Sequence, residues 1–428
     1  MIFTVKPAAQ LKGTIQLPSS KSYSIRSFII AACGGESKIF HPSDCDDAVV
    51  ARKVAQALGA EVVSLKNNTW KVVAGKRNKP SLKINVKESG TVLRFLLPLV
   101  ALRGENVVVT GEGTLCGRPN HFLTRSLRRM GADIRGKGSK ESVPIRISGG
   151  SLNGGMLAID GTLSSQFISA LLIACPQLCE DTCLVLKGKK LVSLDYITMT
   201  LQVLRRSGIK IQSQEARTFR IKGKQTYKGL RNFKVPSDYG LAAFLMAAAA
   251  LTQSNVTLRG YLKKDLIQAD DQVLLLFKRM GIEFQKTAQS IHIQGPFVIK
   301  GGNFSLKNCP DLLPIMAVLA LFAKGKTRLY NIAHARVKES DRISDLRKEL
   351  LKIGAKVAEK RNELVIEPIA NYKTNCLLDP HHDHRLAMAF SVLGLKLGVR
   401  VKDIECSKKS YPGFVRDFKS LRLKGNIR

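Results

Sequence analysis

Long apolar runs, acidic residues, aromatics and paired cysteines are what this chain is short of. The longest apolar run, Leu312 to Ala323, is too short to span a bilayer, and Met1-Ile2-Phe3-Thr4-Val5-Lys6 has no charged-then-apolar leader. A cytoplasmic protein with no membrane partner is therefore expected. None of the nine cysteines forms a C-x-x-C, and the closest set, Cys175, Cys179 and Cys183, has no histidine at ligand spacing. Reduced thiols packed as small apolar groups are expected, with neither a metal nor another cofactor. Aromatics are 6% of the chain, with Trp70 the sole tryptophan. A single-strand nucleic-acid binder would interleave stacking residues among its basic ones, so no nucleic-acid partner is expected.

Acidic residues are also few: 33 Asp and Glu against 69 Lys and Arg give a net charge of +36. That balance favours polyanions, acidic membranes or small multiply charged anions. The basic residues are dispersed rather than striped, so much of the excess reads as a solvated surface. At 428 residues and 44% apolar, the chain can bury large cores in two or three domains.

What the chain has in abundance is repetition. One helix ending recurs at Leu58-Gly59-Ala60, Met130-Gly131-Ala132, Ser207-Gly208-Ile209, Met280-Gly281-Ile282 and Ile353-Gly354-Ala355, with a weaker sixth at Gly425. The interval is about seventy residues, and each Gly sits where a helix must turn left-handed. Polar helix starts recur on the same period at Ser20, Ser89, Ser164, Ser237, Pro310 and Asp383. Each follows a short alternating run: Thr14 to Leu17, Leu82 to Val86, Met156 to Ile159, Asn232 to Val235, Asn303 to Leu306 and Cys376 to Leu378. Each precedes a nearly all-apolar helix, such as Leu241 to Leu251 or Leu386 to Leu395. The unit is strand, buried helix, strand, amphipathic helix ending in Gly, strand, in six copies of an α/β fold. Pro98 and Pro314 lie in or near two buried helices and should bend them or occupy first turns.

The first start, Pro18-Ser19-Ser20-Lys21-Ser22-Tyr23-Ser24-Ile25-Arg26, combines hydroxyls with two cations at a helix N-terminus, where unpaired N–H groups favour anions. Alone it reads more readily as a capped surface helix whose basic residues are solvated. Several other starts carry ionisable groups that no cap needs: Glu88-Ser89-Gly90-Thr91 with Arg94, Arg118-Pro119, Ser164-Ser165-Gln166, Asp238, Asp311, Arg336 to Arg342, Asp383-His384-Arg385 and Lys409-Ser410-Tyr411-Pro412. The run 336–342 also reads as the charged first turn of a helix.

In this order and spacing the motifs K-S-x-x-x-R, S-G-T-x-x-R, S-S-Q, R-V-K-E-S-D-R and D-H-R resemble the 5-enolpyruvylshikimate-3-phosphate synthases along essentially the whole chain. The resemblance implies two similar domains of three units each, 1–19 plus 237–428 and 20–236, with substrates in a cleft between them. It implies transfer of the enolpyruvyl group of phosphoenolpyruvate to the 5-hydroxyl of shikimate 3-phosphate by a monomer. It places shikimate 3-phosphate on Lys21, Ser22, Arg26, Ser164, Ser165, Gln166, Ser193, Tyr196, Asp311, His334 and Lys338. Phosphoenolpyruvate falls to Lys21, Gly90, Arg118, Gln166, Arg342, Arg385 and Lys409. Asp311 is implied as the base at the hydroxyl, and Glu339, with Lys21 near it, as the proton donor and acceptor at C3.

Three positions depart from the family pattern: Glu88 and His334 stand where Asn is frequent, and Val92 where Ala or Thr is usual. His381-His382-x-His384 has the look of a metal site but lacks a matching carboxylate or Cys set, so capping roles are expected for His381 and His382. Two alternatives stay open. A transferase acting on UDP-N-acetylglucosamine would carry a reactive Cys where this chain has Gly113, and Cys116 does not match that place. An RNA-processing protein of related repeat fold would explain the charge but predicts nucleotide motifs not found.

Overall fold

The computed structural model describes residues 1–75 and 83–421, so Gly425, and Leu82 at the head of its expected strand, lie outside the described residues. Twelve α-helices occur among the described residues: α1 Lys21–Ala31, α2 Asp46–Ala57, α3 Gly90–Ala101, α4 His121–Arg129, α5 Ser165–Ala174, α6 Leu194–Arg206, α7 Tyr239–Leu251, α8 Gln272–Arg279, α9 Leu313–Leu321, α10 Arg342–Lys352, α11 His384–Leu397 and α12 Phe414–Ser420. Odd-numbered helices are the apolar ones, and every residue of α7 and α9 is buried. Gly59, Gly131, Gly208, Gly281 and Gly354 follow α2, α4, α6, α8 and α10 with φ of 87°, 106°, 90°, 81° and 80°. Any other residue there would cost about 1 kcal/mol in backbone strain, which is why the pattern repeats Gly.

The sheets repeat as faithfully. Gly155–Asp160 pairs parallel with Thr182–Lys187, which pairs antiparallel with Thr218–Ile221, and Ile211–Gln214 closes the edge. The same order holds for Lys83–Asn85, Asn106–Thr110, Ser142–Gly150 and Ala132–Lys137, and for Lys300–Ser305, Lys324–Tyr330, Glu363–Glu367 and Lys356–Lys360. The parallel pair brackets a buried helix because a parallel connection needs a crossover.

Two strands break the local order. Gln10–Gln16 precedes α1 but pairs parallel with Gln253–Arg259, and Arg231–Lys234 precedes α7 but pairs parallel with Glu36–Phe40. The chain accordingly forms a discontinuous unit, Met1–Pro18 with Pro236–Arg428, and a continuous unit, Ser19–Val235. In the continuous unit α3 packs on α1 and α5; in the discontinuous unit α7, α9 and α11 pack on one another. These buried helices project their N-termini from well-packed cores, which makes them rigid mounts for polar residues.

Some local expectations shift. Asp238, not Ser237, caps α7, accepting from the Leu241 N–H at 3.1 Å, while the Ser237 hydroxyl accepts from the Tyr261 N–H at 3.0 Å. The carboxylate is the stronger acceptor at a helix N-terminus. Pro310 opens a 3-10 turn, Pro310–Leu312, and α9 begins at Leu313 with Pro314 in its first turn. Pro98 lies inside α3 near its C-terminal end. Cys116 and Cys179 are exposed, so the thiols are not uniformly packed away, and the nine cysteines form no disulfide. Among the described residues, no helix is long and apolar enough to cross a membrane.

Candidate active site

In the continuous unit the polar helix starts are wired to each other by buried side chains. Ser20 caps α1, with its hydroxyl 3.5 Å from the Tyr23 N–H, and Lys21 opens the helix. The Lys21 ammonium lies 3.2 Å from the buried Asp47 carboxylate in the first turn of α2. Arg26, one turn from Ser22, is turned inward: it donates to the Thr200 hydroxyl at 2.9 Å, the Ser22 carbonyl at 3.0 Å and the Tyr196 carbonyl at 3.1 Å. Burial pushes its pKa down to about 10, and it stays charged at neutral pH. Arg26 therefore joins the start of α1 to the start of α6, where Ser193 (φ 56°) is the cap and Tyr196 stands in the first turn.

Ser164 caps α5 by accepting from the Gln166 N–H at 3.3 Å, and Ser165 is buried beside it. The Gln166 amide donates to the Thr91 hydroxyl at 2.9 Å and accepts from the Arg94 guanidinium. Arg94 also reaches Asn120 at 3.3 Å and the Pro119 carbonyl at 3.2 Å. The sequence offers Arg94 within S-G-T-x-x-R without assigning it to either substrate, and in the fold it links the starts of α3, α4 and α5. Asp47 likewise gave no signal, since an acidic residue in a first turn ordinarily answers only the helix dipole. Gly90 is the first residue of α3, and a Cβ there would lie 2.8 Å from Arg118 Nη1. The absence of a side chain is what admits the guanidinium.

Glu88 accepts from the Thr114 hydroxyl at 2.9 Å, fixing the turn Gly113–Gly117 that leads into Arg118. A Cβ at Gly113 would lie 2.3 Å from Glu88 Oε1, and its φ is 51°. A cysteine at this place would be both strained and obstructed.

The discontinuous unit gathers charges of both signs. Arg342, first residue of α10 and 1% exposed, donates to Asp311 at 2.6 Å, to Glu339 at 2.9 Å and to Asp383 at 2.7 Å. Burial works against its charge, but Asp383, Asp311 and Glu339 hold its pKa well above the usual value. Arg385 in the first turn of α11 lies 3.0 Å from Asp311 and 3.7 Å from Asp270, and Lys338 lies 3.7 Å from Asp311. Burial acts to raise the Asp311 carboxyl, yet Arg385, Lys338 and Arg342 keep it well below the ordinary carboxylate range. Asp270 goes the other way: burial pushes it up to about 7 despite Arg385, with Asp311 and Asp238 adding to the rise. Sequence reading missed Asp270, which sits in a 3-10 turn before α8 and meets Arg385 only through folding.

His334 lies buried in the 3-10 segment Ala333–Val337, and its Nε2 finds no hydrogen-bond partner among the described residues. Burial first, then Lys338, lower its pKa to about 3, so the ring is neutral at physiological pH. Lys409 ends the 3-10 segment Ile404–Lys409 and is buried.

His381 and His382 are not helix caps. Asp383 caps α11, accepting from the Arg385 N–H at 2.9 Å. His381 instead lies 3.2 Å from Glu349 on α10, and His382 lies 2.6 Å from Asp403. The matching carboxylates are supplied by distant segments, a different one to each ring. Among the described residues no group of three His, Cys, Asp or Glu side chains is placed to hold a metal ion.

Comparison with known proteins finds similarity along nearly the whole chain. The family model for EPSP synthase (3-phosphoshikimate 1-carboxyvinyltransferase) matches residues 5–418. The 3-phosphoshikimate 1-carboxyvinyltransferase of Methanococcus aeolicus is 34% identical, with 97% of this chain and 98% of that protein covered. That of Methanocaldococcus jannaschii is 33% identical, with 98% of each covered. An EPSP synthase structure from Acinetobacter baumannii superposes with a TM-score of 0.79 at 26% identity, covering 99% of this chain and 98% of the other. The enolpyruvyl transferase NikO from Streptomyces tendae shares the fold, with a TM-score of 0.77 at 17% identity over 98% of this chain and 97% of its own. With its motifs in order and its repeats in register, the chain belongs to the EPSP synthase (3-phosphoshikimate 1-carboxyvinyltransferase) family.

Proposed function

We infer that the chain transfers the enolpyruvyl group of phosphoenolpyruvate to the 5-hydroxyl of shikimate 3-phosphate, releasing phosphate. The observation that carries this reading is the sharing of Arg342 by Asp311 and Glu339, two carboxylates with separate jobs on one cationic mount. Asp311, held ionised, accepts the hydroxyl proton as the oxygen adds to C2 of phosphoenolpyruvate. Glu339, brought to its protonated form by the bound anions and by desolvation, protonates C3 in the same addition, giving a tetrahedral intermediate. Glu339 then takes a proton back from C3 as the C2–O bond to phosphate breaks, leaving the enol ether and inorganic phosphate, which carries off the proton that Asp311 took from the hydroxyl. Arg342, Arg385, Lys409, Arg118 and Lys21 balance the carboxylate and phosphate charges of phosphoenolpyruvate, with Gly90 and Gln166 beside them. Ser22, Arg26, Ser164, Ser165, Gln166, Ser193, Tyr196, His334 and Lys338, with Lys21 and Asp311, receive shikimate 3-phosphate. The reading takes the enzyme to be a cytoplasmic monomer.

The deciding experiment measures phosphate release from phosphoenolpyruvate with shikimate 3-phosphate or UDP-N-acetylglucosamine as acceptor. Turnover with shikimate 3-phosphate is expected, and turnover only with the nucleotide sugar overturns the reading. Gly113, at φ 51° and against the Glu88 side chain where that reaction calls for a Cys, supports the first outcome. Glu339→Gln should retain shikimate 3-phosphate binding while kcat falls about a hundredfold or more. A rate near wild type would remove Glu339 from the proton chemistry.

A further inference from the structure

The turn between the strand Cys376–Leu378 and α11 carries two consecutive non-glycine residues in the left-handed region, His381 at φ 51° and His382 at φ 59°. Left-handed pairs also close the hairpins at Asn67-Asn68 and Glu215-Ala216, so it is the ties of this turn, not its backbone alone, that set it apart. Here each imidazole is tied to a different segment. His381 Nε2 lies 3.2 Å from Glu349 Oε1, and the fully buried Glu349 also accepts from the Asp379 N–H at 2.7 Å and the Lys352 ammonium at 2.6 Å. Asp345, one turn earlier on α10, stands 3.9 Å from the same ring. His382 Nδ1 lies 2.6 Å from Asp403, itself left-handed at φ 42°, which immediately precedes the segment ending in Lys409.

Glu349 and Arg342 are two helical turns apart on α10, and each holds the same loop: Glu349 at Asp379 and His381, Arg342 at Asp383. Deepening the proposed function and resting on it, we propose that the His381-His382 turn is a positioning clamp that fixes Arg342, Arg385 and Lys409 relative to one another for phosphoenolpyruvate. The three cations sit on three segments, α10, α11 and the 3-10 segment before α12, and this turn is bonded to the first and last while leading directly into the second. Glu349, His381, His382 and Asp403 touch no reacting atom in this scheme; they act through the cations.

The test uses His381→Gly and Asp403→Gly in the full chain. Each relieves the left-handed backbone while cutting its tie, so each should fold with a melting temperature near wild type, Asp403→Gly cutting the more exposed tie. Each should raise KM for phosphoenolpyruvate about fivefold or more while KM for shikimate 3-phosphate stays within twofold. His381→Asn, which tolerates the left-handed region and keeps a donor, should recover part of the loss. A KM for phosphoenolpyruvate within twofold of wild type in either variant overturns the clamp for the tie it cuts. If the wild-type chain shows no turnover, the enzymatic reading fails, and amide hydrogen exchange over 379–385 judges the clamp separately. His381→Gly should then speed exchange about tenfold, and unchanged exchange overturns the clamp.

Discussion

Arg342 and Asp383 form a buried ion pair, Nε to Oδ2 at 2.7 Å, with side chains 1% and 0% exposed. Asp383 also caps α11, so one carboxylate anchors a cation and starts the helix that presents Arg385. Removing it strands a buried charge, and partial compensation comes from Asp311 and Glu339. Asp383→Ala should cost about 3 kcal/mol in urea unfolding. A loss well under 1 kcal/mol would show that Asp311 and Glu339 suffice for Arg342.

His334 makes stability depend on pH in a definite direction. Burial lowers its folded pKa to about 3 from an ordinary 6.5, with Lys338 adding to the effect. The unfolded chain therefore takes up a proton that the folded chain refuses, and stability falls as pH drops through 6.5 toward 3. The His334 share of this slope is at most about 1.4 kcal/mol per pH unit. His334→Asn should flatten the fall relative to wild type when urea unfolding is measured across that window. Parallel curves would contradict the buried neutral ring.

Asp311 should separate binding from chemistry. Arg385, Lys338 and Arg342 hold it ionised against the cost of burial, so it can accept a proton in passing without being protonated at rest. Asp311→Asn should lower kcat by about 10²–10⁴ while shikimate 3-phosphate binding, measured by calorimetry, survives. A kcat within tenfold of wild type would assign the proton to another group.

Gly90→Ala tests the close approach of Arg118. The added methyl would begin 2.8 Å from Arg118 Nη1, so the guanidinium must move. KM for phosphoenolpyruvate should rise about fivefold, equivalent to ~1 kcal/mol, with kcat changed less. An unaltered KM would mean that Arg118 relocates without consequence for substrate.

How much of this was legible beforehand follows from range. The period, the glycine helix ends and the polar starts are local: a left-handed C′ position, a capping hydroxyl and an apolar helix each need only a few adjacent residues, and the sequence alone determined them. Even the family was readable, because its motifs fall on those repeated starts. The repeat pattern leaves open which strand pairs with which: nothing in it sends Gln10–Gln16 to Gln253–Arg259 instead of to the strand after its own helix, the resemblance implies only that 1–19 goes with 237–428, and the pairing itself was decided by the tertiary structure. It alone showed that Arg26 is buried and bonded to Thr200, that Arg94 of the S-G-T-x-x-R motif reaches Gln166, and that Asp47, Asp270, Glu349 and Asp403 steady or balance residues the motifs name. Charge pairing between distant segments leaves no periodic trace. For that reason the candidate residues named by the motifs were visible in the chain, and the residues that hold them were visible only in the fold.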